Sequence, residues 1–200
     1  MASADCFVVP GTPQHSGTVE RLVGILAGRY TNRWTAHYLA PPVELQRFNT
    51  YCYYDISAIA GPVTVTTVVL SYAWLASAVA SYAIECREVL TAWANPIPDP
   101  AVWDEMMGGT LLAGFTPTPA PGLQTQALNA AAVAHVQAAI NAAQGWWALG
   151  LRVEDAPSGG NGFGNEFAEL GKAATYPLTI SYEAGLADQR LSRLPRLGVF

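Results

Sequence analysis

Apolar side chains recur at helical spacing in three stretches of the chain. Between Ser16 and Gly28 they follow an i, i+3, i+4, i+7 pattern, which predicts a helix that Gly28 ends. The segment Leu70–Ala94 reads as a long core helix, because Ser77, Ser81 and Glu85 form one narrow polar stripe on it. The clearest pattern covers Leu123–Trp147, where the spacing predicts a further long helix with the apolar stripe Leu128, Ala132, Val136, Ile140 and Ala143.

Shorter segments carry strand and turn signals. The aromatic and Thr-rich segments predict short extended pieces at Cys6–Val9, Tyr30–Leu39, Phe48–Ile56 and Tyr176–Tyr182. Ala101–Phe115 predicts a short helix broken at Gly108 and Gly109. Residues 95–100 and 116–122 are Pro-rich extended connectors, and residues 156–165 form a Gly-rich loop. The expected fold is one α+β domain over 1–200, dominated by long charge-poor helices with a few short strands and extended Pro-rich arms.

One apolar run raises a membrane alternative. Ile56 to Ile84 carries no formal charge and is long enough to cross a bilayer as a helix. Gly61-Pro62 interrupts the run, several Thr and Ser residues dilute it, and no Lys or Arg cluster flanks it. A core segment is the preferred interpretation, and a subunit with residues 62–84 in or against a bilayer remains the alternative.

Charge is scarce along the whole chain. Only 12% of the residues are charged while 51% are hydrophobic, whereas about a quarter of a typical soluble domain is charged. Because Lys, Glu, Arg and Asp normally cover a monomer's surface, this deficit predicts that much of the exterior is covered by other subunits. The net charge of −5 argues against nucleic acid as a direct main partner.

The predicted interface lies on the longest charge-free stretch. No Asp, Glu, Lys or Arg occurs from Met106 to Leu151. Amide side chains can be desolvated more cheaply than charges when their hydrogen bonds are completed by a partner. Two adjacent tryptophans add aromatic anchors. The candidate interface residues are Gln126, Asn129, Gln137, Asn141, Gln144, Trp146 and Trp147. Charges introduced at Gln137 and Asn141 are expected to weaken assembly and leave the fold intact.

Motifs for catalysis, metal binding or cofactor binding are not found in the sequence. His15, His37 and His135 are scattered and lack metal-ligand spacing. The cysteines Cys6, Cys52 and Cys86 are odd in number and far apart, which predicts buried, reduced thiols rather than disulfides or a zinc site. We therefore predict no catalytic residue, metal or cofactor, and expect that the chain is not an enzyme.

In overall character the chain resembles viral capsid or capsid-decorating proteins, especially those of toti-like double-stranded RNA viruses. The shared features are charge-poor helices, abundant Ala, Thr, Pro and Gly, scattered tryptophans and Pro-rich arms. The resemblance implies a structural assembly protein, a capsid or virion-surface subunit, that associates with itself or with other structural subunits. It would be found in the virion or host cytoplasm, and a chain that is not viral is expected to be intracellular. Besides the membrane subunit, a small enzyme with a dispersed site that places His37 or His135 beside a carboxylate is the second alternative.

Overall fold

Strands dominate the fold in a computed structural model of the chain. The structure describes residues 1–7, 16–22, 25–30, 37–39, 46–74, 84–92, 100–116, 122–153 and 177–185. The helices within these ranges are α1 (Pro100–Gly108) and α2 (Ala130–Asn141). The strands are β1 (Ala2–Cys6), β2 (Ser16–Leu22), β3 (Ile25–Tyr30), β4 (His37–Leu39), β5 (Gln46–Asp55), β6 (Val63–Trp74), β7 (Ile84–Val89), β8 (Leu111–Phe115), β9 (Gly122–Ala127), β10 (Trp146–Val153) and β11 (Leu178–Ala184).

The strands form two antiparallel sheets. The four-stranded sheet has the order β1-β11-β6-β9. The seven-stranded sheet has the order β3-β2-β5-β10-β7-β8, with β4 also paired to β5. Strand β10 thus lies between β5 and β7, and its Leu149 stands opposite Cys52 and Glu88.

The main core lies between the two sheets and helix α2. Alternation along β5 and β10 turns Cys52, Tyr54 and Leu149 into this core, where they join Leu70 and Ile180 of the four-stranded sheet. Helix α2 closes one side with Ala132, Val136, Ala139 and Ile140. The fold is therefore a two-sheet sandwich with a helix at its side.

Helix α1 covers the opposite face of the seven-stranded sheet. Tyr51 and Tyr53 of β5 point to this face and form a second core with Trp103 and Met106. Gly150 in β10 provides the space for Met106, because a Cβ at Gly150 would overlap that side chain. The seven-stranded sheet consequently carries apolar residues on both faces, and its buried strands lack a simple polar-apolar alternation.

The predicted helix-dominated fold is wrong, and so is the expectation of long charge-poor helices. The segment Leu70–Ala94 contains the end of β6 and the strand β7, while its residues 75–83 lie outside the described part of the chain. Ser16–Gly28 contains β2 and most of β3 instead of a helix. Of the helix predicted over Leu123–Trp147 only α2 remains. Continuous apolar runs occur in strands buried on both faces as well as in helices. In this chain the apolar segments pair with strands that are distant in sequence, and they are therefore extended.

Some shorter elements are confirmed. Helix α1 ends at Gly108 near the predicted break, β5 matches the extended segment Phe48–Ile56, and β11 overlaps the strand predicted at Tyr176–Tyr182. The predicted loop 156–165 and most of the connectors 95–100 and 116–122 lie outside the described residues. Within the described ranges, neither helix has the length and apolar character needed to cross a membrane.

Candidate assembly surface

The seven predicted interface residues do not share one face. Gln126 lies in β9, Asn129 precedes α2, and Gln144 follows it. Gln137 and Asn141 lie one helical turn apart in α2, and the two tryptophans begin β10. The structure places Gln137 and Asn141 on one face of α2 and uses them inside the subunit, and it brings the amide of Gln144 to the backbone of Trp146.

Gln137 and Asn141 complete the edge of strand β6. Strand β9 pairs with β6 only over Val69–Trp74, so the first half of that edge has no neighbouring strand among the described residues. Oδ1 of Asn141 accepts a hydrogen bond from the Val63 N–H at 2.9 Å, and Oε1 of Gln137 accepts one from the Val65 N–H at 3.0 Å. The spacings match, because four helical residues rise about 6 Å and two strand residues about 6.6 Å.

Asn129 fixes the start of helix α2. Its Oδ1 accepts hydrogen bonds from the N–H groups of Ala131 at 3.0 Å and Ala132 at 3.2 Å, as expected of a helix N-cap. Its Nδ2 donates to the carbonyl of Leu111 in β8 at 2.7 Å. The side chain therefore ties the helix to the edge of the seven-stranded sheet.

The remaining predicted residues divide between core and surface. Trp147 is buried in the main core, whereas Trp146 is half-buried with its ring centroid 5.4 Å from that of Tyr53. The amides of Gln144 and Gln126 donate to nearby backbone carbonyls, those of Trp146 and Ala127. Gln126, Gln144 and Trp146 retain exposed area that a partner could cover.

The described surface is almost free of charge. Among the residues whose side-chain exposure the structure describes, the exposed charged ones are Asp5, Asp104 and Glu183, all acidic. Apolar exposure is present instead, with Leu90 at 68%, Leu123 at 66% and Leu111 at 41%. The surfaces of soluble monomers usually carry more charged residues than this.

A cluster of charged side chains is largely buried on the α1 side of the seven-stranded sheet. Glu85 Oε2 accepts hydrogen bonds from Arg152 Nε at 2.6 Å and from Arg87 Nη2 at 2.9 Å. Burial raises the pKa of Glu85, but the hydrogen bonds and charges of the two arginines outweigh burial and hold that pKa below its usual value. The three residues join the neighbouring strands β7 and β10, and the Glu85 carboxylate is paired with two arginines of the same subunit.

His135 lies beside a carboxylate, as the enzyme alternative requires. Its Nδ1 contacts the Glu88 carboxylate, which is buried on the core side of β7. A buried carboxylate needs a donor, so the pair is explained as a link between α2 and the seven-stranded sheet. His37 lies in β4, with its side chain outside the described set. The described residues contain no group of three or more His, Cys, Asp or Glu side chains that could hold a metal ion.

The cysteine prediction is confirmed for all three positions. Cys6, Cys52 and Cys86 are free thiols and all are buried. Burial, with the nearby charges of Asp55 and Asp5, raises the pKa of Cys6 to about 11, and burial raises the pKa values of Cys52 and Cys86 far above the usual range. A thiol held protonated in this way is a poor nucleophile and a poor metal ligand.

Sequence reasoning missed strand β9 as a surface element. The helix predicted over Leu123–Trp147 covers all of β9 except Gly122, because the apolar spacing of α2 extends back into this strand. The available signals were the Pro121-Gly122 turn before it and the β-branched Thr125 within it. Strand β9 is an edge of the four-stranded sheet, and half of its backbone hydrogen-bonding groups face away from β6.

The chain matches no protein-family model, and the curated proteins contain no significant match to its sequence.

Proposed function

We propose that the chain is a structural subunit that self-associates to build a larger assembly. The observation that carries the proposal is the near absence of charge from the described surface, where Asp5, Asp104 and Glu183 are the exposed charged residues. Water is the usual neighbour of charged surfaces, whereas the fully buried part of a protein interface is depleted of charged residues. Copies of the subunit, or other structural subunits, would cover this surface.

A virion shell or virion surface is the specific assembly we propose. Two packed antiparallel sheets are an architecture that recurs in viral capsid subunits. Composition also agrees, since Ala, Thr, Pro and Gly are abundant and charge is scarce. The long helices that formed part of the resemblance to toti-like capsids are missing from the described residues, so the proposal extends to capsid-type subunits in general.

The two alternatives have less support. A subunit with residues 62–84 against a bilayer would need that segment to face lipid, yet Val63, Val65 and Leu70 are packed inside the protein. A small enzyme would need His135 and Glu88 to act as base and acid, and the buried position of Glu88 already accounts for their contact. We therefore favour a non-catalytic, structural role without a cofactor.

The proposal is tested by the mass of the purified protein in plain, detergent-free buffer. We expect sedimentation velocity at micromolar concentration to give species larger than the 21.2 kDa chain. Since uncharged contacts are little affected by ionic screening, raising NaCl from about 0.1 M to about 1 M should leave the association intact. A stable monomer under both conditions would contradict the proposal.

A further inference from the structure

Among the strands that the structure describes, β9 is an edge whose own sequence carries none of the usual protection. In natural proteins, edge strands usually contain charges, prolines or bulges, and these features prevent pairing with a strand of another chain. Among the described strands, three other edge strands carry such a feature: β1 contains Asp5, β3 contains Arg29, and β8 pairs with β7 through a register shift at Arg87, whereas the three-residue edge strand β4 is short. Strand β9 has no charge and no proline, and its pairing with β6 contains no shift.

The backbone groups of β9 that face outward can be identified from its register. Leu128 N–H donates to the Val68 carbonyl at 2.9 Å, which makes these two residues a hydrogen-bonded pair. Such pairs alternate along an antiparallel ladder, so Gln126, Gln124 and Gly122 also bond to β6. The N–H and C=O groups of Leu123, Thr125 and Ala127 consequently point away from the sheet.

We infer that β9 pairs antiparallel with β9 of a second copy of this chain, about a twofold axis at Thr125. The inference rests on the proposed self-association and specifies one of its contacts. In this register Thr125 pairs with Thr125 of the second copy, and Leu123 pairs with Ala127 in both directions. The outward N–H and C=O groups of the three residues then pair across the axis, with the Ala127 carbonyl also accepting from Nε2 of Gln126 as it does within one subunit, and the two four-stranded sheets become one continuous sheet.

The register follows from two requirements. Residues opposite each other in an antiparallel pair must lie on the same face, so a twofold axis normal to the sheet passes through a residue and not between two. Placing the axis at Thr125 makes each of the three outward-facing residues part of a hydrogen-bonded pair. An axis at Gln124 would still pair Leu123 with Thr125, but it would place Ala127 opposite Pro121, which precedes β9 and has no N–H, so fewer outward groups would be hydrogen-bonded.

A second copy of the chain suits this edge because pairing the two β9 strands brings no like charges together. Strands β6 and β9 contain no Asp, Glu, Lys or Arg, so two copies approach without like-charge repulsion. On the outer face Leu123, Thr125 and Ala127 are exposed. Pairing places Leu123 beside Ala127 of the other copy and Thr125 beside Thr125, both favourable cross-strand neighbours.

The twofold axis makes a charge-swap experiment possible. We expect Thr125→Lys and Thr125→Glu each to weaken association by roughly tenfold or more, because each variant places like charges directly opposite across the axis. An equimolar mixture of the two should recover the wild-type association constant, since Lys then faces Glu. Ala134→Lys and Ala134→Glu, at an exposed position of helix α2, are the matched controls. Sedimentation gives the association constants, and thermal unfolding verifies that every variant folds.

Each result has a definite meaning. Loss in both single variants and recovery in the mixture, with unchanged Ala134 controls, supports the pairing. Wild-type association that neither Thr125 variant weakens, or that the mixture fails to restore, overturns the pairing and leaves the proposed function standing. The pairing is also overturned if the Ala134 variants behave like the Thr125 variants, because net charge would then be the cause. A monomeric wild-type protein overturns both.

Discussion

Asn141, the last residue of helix α2, binds both backbone groups of Val63 at the start of strand β6. Its Oδ1 accepts from the Val63 N–H at 2.9 Å, and its Nδ2 lies 3.4 Å from the Val63 carbonyl. An asparagine side chain has the same amide group as the backbone, so it occupies the place of a neighbouring strand. The helix face that the sequence suggested for contact between subunits instead closes a sheet edge within one subunit.

Removing this amide should destabilise the fold. Asn141→Ala leaves the buried Val63 N–H without its acceptor, which we expect to lower the free energy of unfolding by about 1–3 kcal/mol. Gln137→Ala should have a similar effect through Val65. Ala138→Gln, at an exposed position of the same helix, should change stability by less than about 0.5 kcal/mol. Urea unfolding measures all three, and equal midpoints for Asn141→Ala and Ala138→Gln would contradict the role assigned to Asn141.

Gly150 should tolerate no side chain while Met106 is present. A Cβ there would overlap Cγ of Met106 and lie 3.2 Å from its Sδ, so Gly150→Ala should cost about 1–3 kcal/mol of stability. Gly114→Ala is the control, since a Cβ at that position meets no atom within 4 Å. Met106→Ala should make the Gly150 substitution less costly, and a double-mutant cycle measures this coupling. Strictly additive effects would show that the two residues do not compete for the same space.

Acid should destabilise the protein partly through Glu85. The arginines hold its pKa below the usual 4.5 in the folded state, so the folded protein binds fewer protons there than the unfolded chain. This contribution is complete above the unfolded-state pKa and is lost as the pH falls through the lower, folded-state pKa. Glu85→Gln should flatten the dependence of unfolding free energy on pH below about 4.5, whereas Glu183→Gln, at an exposed position, should leave Glu85's contribution unchanged. An identical acid dependence in wild type and Glu85→Gln would refute this.

The buried thiols should react slowly in the folded protein. With the pKa of Cys6 raised to about 11, its thiolate fraction near neutral pH is about a hundredfold below that of a free cysteine. Cys52 and Cys86 are fully enclosed and should be slower still. Alkylation at pH 8 followed by peptide mass analysis measures each site separately, with the urea-unfolded protein as the reference. Rapid modification of Cys52 or Cys86 under native conditions would show that the sandwich opens easily.

The sequence predicted local features better than the pairing of strands. Short segments with turns at both ends, such as α1 and β11, were found because their signals are local. The charge deficit and the buried cysteines could also be read directly from composition. The helix predicted from Leu70 onward is wrong at its start, where strand β6 continues to Trp74. The preceding β-branched run of this strand, Val-Thr-Val-Thr-Thr-Val-Val, is typical of strands.

The amide residues illustrate why the candidate site could not be predicted fully. The sequence predicts that the amides of Gln137 and Asn141 need hydrogen-bond partners, and in the structure each of them has one. Their partners, Val63 and Val65, lie more than seventy residues earlier, with separations of 78 and 72. Periodicity within a helix carries no information about which distant backbone its polar face meets. Only the register of β6, β9 and β11 reveals that, within the described part of the chain, no strand pairs with the first half of one β6 edge.

The position of β10 between β5 and β7 has a consequence for synthesis on the ribosome. Both flanking strands emerge before β10, and residues 146–153 must then be inserted between them to join the seven-stranded sheet. Similarly, β1 emerges first but pairs with β11, the last described strand. Domains whose contacts join residues far apart in sequence fold slowly, and their strand edges stay unpaired until the partner strands have been synthesised. A nascent chain therefore carries an incomplete seven-stranded sheet, with β5 and β7 unpaired along the edges that β10 will join, until residues 146–153 have emerged.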